Sequence, residues 1–194
     1  MLDIMTETEI VIVGLGPTGA TLANILGCYG INVVVLEREE SIYPLPRAVH
    51  FDDEAMRVFQ SIQLADQIDA KVRVNCGTRF VDKNQDLLLD WPRPQEIGPL
   101  GWYPSYRFHQ PDLEADLNDG LSRQETVQVM RGCAVTAVTQ MMTGCRSISQ
   151  RTAPKRRYAP ILLLGLMAHV LSCAVPLTVR GKILVSGNAG LLSM

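Results

Sequence analysis

Near the start of the chain, glycines fall in the pattern Gly14-Leu15-Gly16-Pro17-Thr18-Gly19, and an acidic residue, Glu37, follows about 20 residues later. This spacing suits a diphosphate. A glycine at Gly14 allows a tight turn, one at Gly16 lets backbone N–H groups approach phosphate oxygens, and one at Gly19 lets a helix pack closely on a strand. Pro17 and Thr18 lie in the same turn as cofactor-binding candidates, and the phosphates would sit at the N-terminus of the helix it feeds, where free amides and the dipole both favour negative charge. Glu37, with Arg38 beside it, is placed to accept hydrogen bonds from an adenosine ribose. The chemistry implied is binding of an ADP-containing dinucleotide, FAD or NAD.

Such residues need a βαβ frame, and the flanking sequence supplies one. Glu9-Ile10-Val11-Ile12-Val13 reads as a strand, Ala20 to Leu26 as an amphipathic helix stopping at Gly30, and Asn32 to Leu36 as a second strand. Arg38 to His50 is punctuated by Pro44 and Pro46 and reads as a loop. Within it, Arg47 can form a fork to phosphate oxygens, the plain alternative being a solvated arginine. His50 reads as a structural hydrogen-bonder or as an acid or base.

Asp52 or Asp53 should cap a helix whose apolar face is Ala55, Met56, Val58, Phe59 and Ile62. Short strands are expected at 72–74 and 78–81, a turn at 82–86 and an apolar run at Leu87-Leu88-Leu89. Residues 91–104 look irregular. Tyr106 to Phe108 alternates like a strand and enters a helix with Gln110 at the cap, Pro111 at the first position and Leu113, Leu117 and Leu121 facing inward. The Gln110 amide either caps or faces the cofactor. A single strand is expected from Val127 to Val138.

With 194 residues, 47% of them apolar, the chain can bury a core. A net charge of -2 gives no electrostatic case for nucleic acid, and nothing in the first ten residues resembles a cleavable signal. The expected location is the cytoplasm. Cys28, Cys76, Cys133, Cys145 and Cys173 are scattered, so buried reduced thiols are expected, with no metal site and no redox pair of a disulfide reductase.

Residues 9–140 resemble the N-terminal part of the class A flavoprotein aromatic hydroxylases, in particular the branch acting on hydroxyphenylpropionates. The resemblance rests on Tyr43 to Arg57, with Pro46-Arg47-Ala48-Val49-His50-Phe51-Asp52-Asp53-Glu54 at its centre, on Asp90 to Glu96, and on Ser105 to Glu114. It implies a Rossmann-like α/β FAD-binding domain with a parallel sheet, incomplete here. Gly14, Gly16, Gly19 and Glu37 would hold the ADP half, and Arg47 and Gln110 match positions near the flavin. NADH or NADPH would reduce the flavin, and oxygen would hydroxylate a small phenolic substrate. His50 lies in the loop near which relatives place a phenol-activating group, which makes it the catalytic candidate.

Residues 1–140 are thus expected to form the FAD-binding domain and residues 141–194 a tail outside the family pattern. That tail reads as a frameshift product. Codons built from the last base of one codon and the first two of the next turn Met141-Met142-Thr143 into Asp-Asp, permit Gly at Thr143-Gly144, and permit Gly-Ala-Asp-Gly-Ala-Arg over Leu164 to Val170. Asp-Gly is a hairpin signal where the preceding strand needs one. A chain so built would bind FAD weakly and not hydroxylate. The alternatives are a non-catalytic dinucleotide-binding module, or a membrane tether through residues 159–179, which are nearly uncharged and follow Lys155-Arg156-Arg157.

Overall fold

The computed structural model describes residues 4–6, 8–141, 144–149, 156–158, 162–165 and 184–185. They fall into two compact units, residues 1–43 with 117–194 and residues 44–116.

The first unit opens with β1 (Ile4–Thr6), β2 (Ile10–Val13), α1 (Pro17–Cys28) and β3 (Val33–Leu36). Val11, Ile12 and Val13 are buried, as are all four residues of β3. Unbroken β-branched runs of this kind mark parallel strands covered on both faces. Each such side chain contributes about 1.5 to 3 kcal/mol through burial. Pro17 takes the first helical position, where its missing N–H costs nothing, and Gly30 turns the chain at φ +69° just beyond the helix end. The inner face of α1 is built from Gly19, Ala20, Ala23 and Asn24. These are small residues that allow close approach, and Asn24 Nδ2 donates to the carbonyls of Ala20 and Leu117, both at 2.9 Å.

The second unit contains β4 (His50–Phe51), α2 (Asp53–Ser61), α3 (Ala65–Asp69), β5 (Arg73–Val74), β6 (Gly77–Val81), β7 (Leu87–Pro92), β8 (Tyr106–Arg107) and the start of α4 (Gln110–Leu121). Asp52 is the cap of α2, accepting the Ala55 N–H at 3.0 Å. Met56, Phe59 and Ile62 are buried at helical spacing, whereas Val58 is 38% exposed. Two residues from Met56 is about 200° around a helix, which turns Val58 outward against the sequence expectation. β8 is the middle strand of an antiparallel sheet ordered β4-β8-β5, and β6 pairs with β7. Thr78 pairs with Trp91 and Gly77 with Pro92, so strand continues two residues into the stretch expected to be irregular. Proline is tolerated there because a two-stranded ribbon leaves one edge without ladder bonds. The Phe51 ring stacks on Tyr106 at 5.4 Å and meets the edge of Phe59 at 5.5 Å.

The chain returns to the first unit through α4 and adds β9 (Val127–Met130), β10 (Val135–Met141), β11 (Gly144–Ser149), β12 (Arg156–Tyr158), β13 (Leu162–Gly165) and β14 (Leu184–Val185). The single strand expected from Val127 to Val138 is two strands in different sheets, parted where Gly132 takes φ +68°. A parallel sheet runs β14-β13-β2-β3-β9, and a second sheet runs β1-β12-β11-β10. Val11, Val13, Val34, Leu36 and Cys133 form a core of the first unit. Cys28 and Cys76 are exposed rather than buried, and Cys133 alone meets that expectation among the described cysteine side chains. Of the candidate membrane segment 159–179, Leu162–Gly165 forms a strand paired with β2, and the remainder lies outside the described residues. No helix among the described residues is long and apolar enough to cross a membrane.

Candidate dinucleotide-binding site

The turn between β2 and α1 has the conformation its glycines allow. Gly14 sits at φ +103°, where a β-carbon is strained, and its N–H is held by the Leu36 carbonyl at 2.8 Å. A β-carbon on Gly19 would come within 2.1 Å of the Gly14 carbonyl oxygen, so only glycine lets α1 lie this close to the turn. At Gly16 a β-carbon would meet nothing within 4 Å. Gly16 is therefore required by neither its neighbours nor its backbone, which is what a position kept bare for a ligand looks like.

The N-terminus of α1 carries no side-chain cap and no acidic residue in its first turn. Its first intrahelical bond is Ala20 N–H to the Gly16 carbonyl at 2.9 Å. Among the described residues, the amides of Gly16, Thr18 and Gly19 have no hydrogen-bond acceptor. Thr18 is exposed, and Pro17 lacks an N–H, so the donors on offer are backbone ones. A diphosphate satisfies such donors and the helix dipole together.

Glu37 closes the side of the turn. Its backbone is fixed to the end of β9 by Glu37 N–H to the Met130 carbonyl at 2.9 Å and Cys133 N–H to its own carbonyl at 2.8 Å. Its carboxylate accepts the Leu15 N–H at 2.6 Å through Oε2 and the Glu39 N–H at 2.9 Å through Oε1. Each oxygen keeps a second acceptor position for sugar hydroxyls. The sequence reading foresaw an acidic group here but not that it also braces the glycine turn. Arg38 makes an exposed ion pair with Glu39 at 2.8 Å.

In the second unit, two further candidates are tied together. Gln110 is buried, and its Oε1 accepts the N–H groups of Arg47 at 2.7 Å and Ala48 at 2.8 Å. Its Nε2 donates to the buried carboxylate of Glu114 at 2.7 Å. Glu114 can only accept, so it sets which way the amide points. The helix begins at Gln110, and the His109 carbonyl accepts from Asp112 and Leu113, so His109 is the cap in place of Gln110. The Gln110 side chain is instead committed to the loop that carries Arg47. The sequence reading gave Glu114 no such part.

His50 lies on β4, exposed, with Nε2 at 2.7 Å from Ser105 Oγ. Ser105 in turn meets Asn75 Nδ2 at 2.9 Å, and Asn75 Oδ1 accepts from Arg107 Nε at 3.0 Å and the Gly77 N–H at 3.2 Å. Ser105 and Asn75 are buried. Sequence patterning gave neither residue a role, because the link joins β4, β5 and β8 through antiparallel pairing rather than through a local motif. Tyr106 beside them is buried, which pushes its phenol above the usual tyrosine range, while the Tyr103 N–H on its oxygen at 3.0 Å pulls the other way by less.

A strand, a glycine turn bare at its centre, a helix with vacant amide donors and a strand-end carboxylate together define a dinucleotide-binding fold. Comparison with known proteins narrows this. The profile of the FAD binding domain family matches residues 7–159, and the chain belongs to that family. It is 42% identical over 134 residues to a probable NADH-specific resorcinol 4-hydroxylase of Rhodococcus jostii, covering 68% of this chain and 25% of that one. It is 40% identical over 140 residues to a 3-(3-hydroxy-phenyl)propionate/3-hydroxycinnamic acid hydroxylase of Mycobacterium avium, covering 72% of this chain and 23% of that one. The chain thus spans about a quarter of the length of these relatives. Among solved structures, the p-nitrophenol 4-monooxygenase PnpA of Pseudomonas putida DLL-E4 superposes with a TM-score of 0.74 at 21% identity, over 85% of this chain and 41% of that one. The flavin-dependent monooxygenase PieE, solved with FAD and substrate, gives 0.71 at 19% identity, over 82% and 30%. These structural likenesses bear on the fold.

The residues present fit FAD. The open space at Gly16 and the vacant amides of Gly16, Thr18 and Gly19 suit its diphosphate, and Glu37 suits its ribose. FAD, when bound, supplies the redox chemistry; the protein contributes position, charge and shielding from water.

Proposed function

We propose that this chain is the dinucleotide-binding portion of a flavoprotein monooxygenase that hydroxylates a phenolic ring. In this reading Gly14, Gly16, Pro17, Thr18, Gly19, Glu37 and Arg38 hold the ADP half of FAD, and Arg47 and Gln110 serve the flavin half. A small phenol of the 3-(3-hydroxyphenyl)propionate class is the substrate, and NADH or NADPH the electron donor. The NADH specificity in the name of the Rhodococcus relative supports NADH. The cytoplasm is the expected location, with neither nucleic acid nor membrane as a partner. The observation that carries the reading is the bare Gly16 beside unpartnered helix amides and the Glu37 carboxylate.

The 194 residues by themselves are proposed to bind FAD weakly and to leave the phenol unreacted, since the relatives bring about three quarters of their length from elsewhere. Titration with FAD, NADH and ADP, followed by NADH oxidation with and without 3-(3-hydroxyphenyl)propionate, tests this. Saturable FAD quenching without substrate-stimulated oxidation is expected. No preference for FAD over ADP would reduce the reading to a nucleotide-binding module, and stimulated oxidation would show that the chain is active alone.

A further inference from the structure

The polar chain from Arg107 to His50 has a direction that donors and acceptors dictate. Arg107 Nε and the Gly77 N–H can only donate, and both point at the same oxygen of Asn75. That fixes the Asn75 amide with Oδ1 toward them and Nδ2 toward Ser105, leaving no freedom to flip. Nδ2 carries only hydrogens, so Ser105 Oγ accepts from it. The remaining hydroxyl hydrogen of Ser105 is buried, and His50 Nε2 at 2.7 Å is the acceptor that the described residues give it. His50 Nε2 therefore receives a hydrogen bond. In its neutral form the ring carries its proton on Nδ1.

We infer that His50 is a fixed hydrogen-bond donor, presenting Nδ1–H to an oxygen of the bound phenol, and is not the base that takes the phenol's proton. This rests on the proposed hydroxylase reading for the identity of the ligand, but the tautomer does not. For His50 to act as the base, Nδ1 would need a free lone pair, which puts the ring proton on Nε2 facing Ser105 Oγ and turns the Ser105 hydroxyl hydrogen away from the ring. That buried hydrogen would then have no acceptor among the described residues, because Asn75 meets Ser105 through Nδ2, a donor, and its Oδ1 is held by Arg107. The chain can orient a hydrogen bond but cannot relay a proton. A donor aimed at a phenol oxygen stabilises charge as that oxygen becomes phenolate-like, which is electrostatic help without proton exchange. His50 sits two residues beyond Ala48, whose amide is held by Gln110, so the donor is carried on a segment fixed at both ends.

Long-range proton–nitrogen NMR on the full 194-residue chain reads the tautomer of each of its three histidines, with His50→Asn assigning the signal. The expected result is Nδ1–H at His50. Ser105→Thr should keep it, Ser105→Ala should move the ring toward the Nε2–H form, and Asn75→Asp should invert it. In that variant a carboxylate takes the Ser105 hydroxyl hydrogen and leaves Oγ to accept from Nε2. Wild-type Nε2–H, or an Asn75→Asp variant that keeps Nδ1–H, would overturn the inference. Adding 3-(3-hydroxyphenyl)propionate to the FAD-loaded chain should shift the His50 Nδ1 resonance. If FAD binds, the tautomer is as stated and the resonance stays put, His50 is not the donor to this phenol. Failure of FAD to bind at all would instead sink the hydroxylase reading and leave the tautomer result standing.

Discussion

At the scale of single residues, Gly16 and Gly19 belong to one motif but answer to different demands, and alanine separates them. Gly19→Ala forces a β-carbon to 2.1 Å from the Gly14 carbonyl oxygen. Overpacking of this kind costs about 1 to 3 kcal/mol, so Tm should fall by roughly 2 to 12 °C with FAD binding lost alongside. Gly16→Ala meets nothing in the protein. Its Tm should stay within about 1 °C of wild type while FAD affinity drops roughly ten- to hundredfold, the worth of about 1.5 to 3 kcal/mol for a hydrogen bond to a charged group. Thermal melts and FAD titrations on both variants check the pair. These glycines and Glu37 were legible in the sequence because a backbone-only turn leaves its mark in residue type and spacing. The pairing of Arg47 with Gln110 was not, since the two amides meet across 63 positions through a side chain that local pattern would assign to helix capping.

At the scale of elements, α2 and β8 make testable statements about stability. Asp52 accepts the Ala55 N–H at the start of a helix of nine residues, so Asp52→Ala should lower stability by about 1 kcal/mol, read as a shift in the denaturant midpoint. On β8, burial raises the pKa of Tyr106, so the folded chain holds that proton more tightly than the unfolded chain. The stability this gives is whole below about pH 10 and is lost as pH climbs through the raised folded value. Tyr106→Phe should flatten the alkaline decline above about pH 10 in urea titrations, at the expense of the hydrogen bond from the Tyr103 N–H at neutral pH. Helices and parallel strands were largely legible from apolar periodicity. What escaped depended on position around a helix or along a sheet: Val58, two residues from Met56, and the break at Gly132 that parts β9 from β10.

At the scale of the whole molecule, the proposal that residues 141–194 arise from a shifted frame is decided by the gene. If it holds, the codons of Thr143, Leu164, Gly165, Leu166 and Ala168 end in G and that of His169 ends in C. DNA sequencing across the Gln140 to Met141 junction and through Val170 reads this directly, and other third bases at these positions end the proposal. The structure gives the question a physical edge. β2 delivers the glycine turn and lies between β3 and β13, with Ile10 opposite Leu162 and Val13 opposite Gly165. A version of the chain lacking Leu162–Gly165 would leave Ile10–Val13 as an uncovered hydrophobic ribbon with a row of unmet backbone groups along one flank, a template on which neighbouring chains can add. Loss of these four residues would then show itself first as precipitation in the tube, before any change in flavin affinity could be measured.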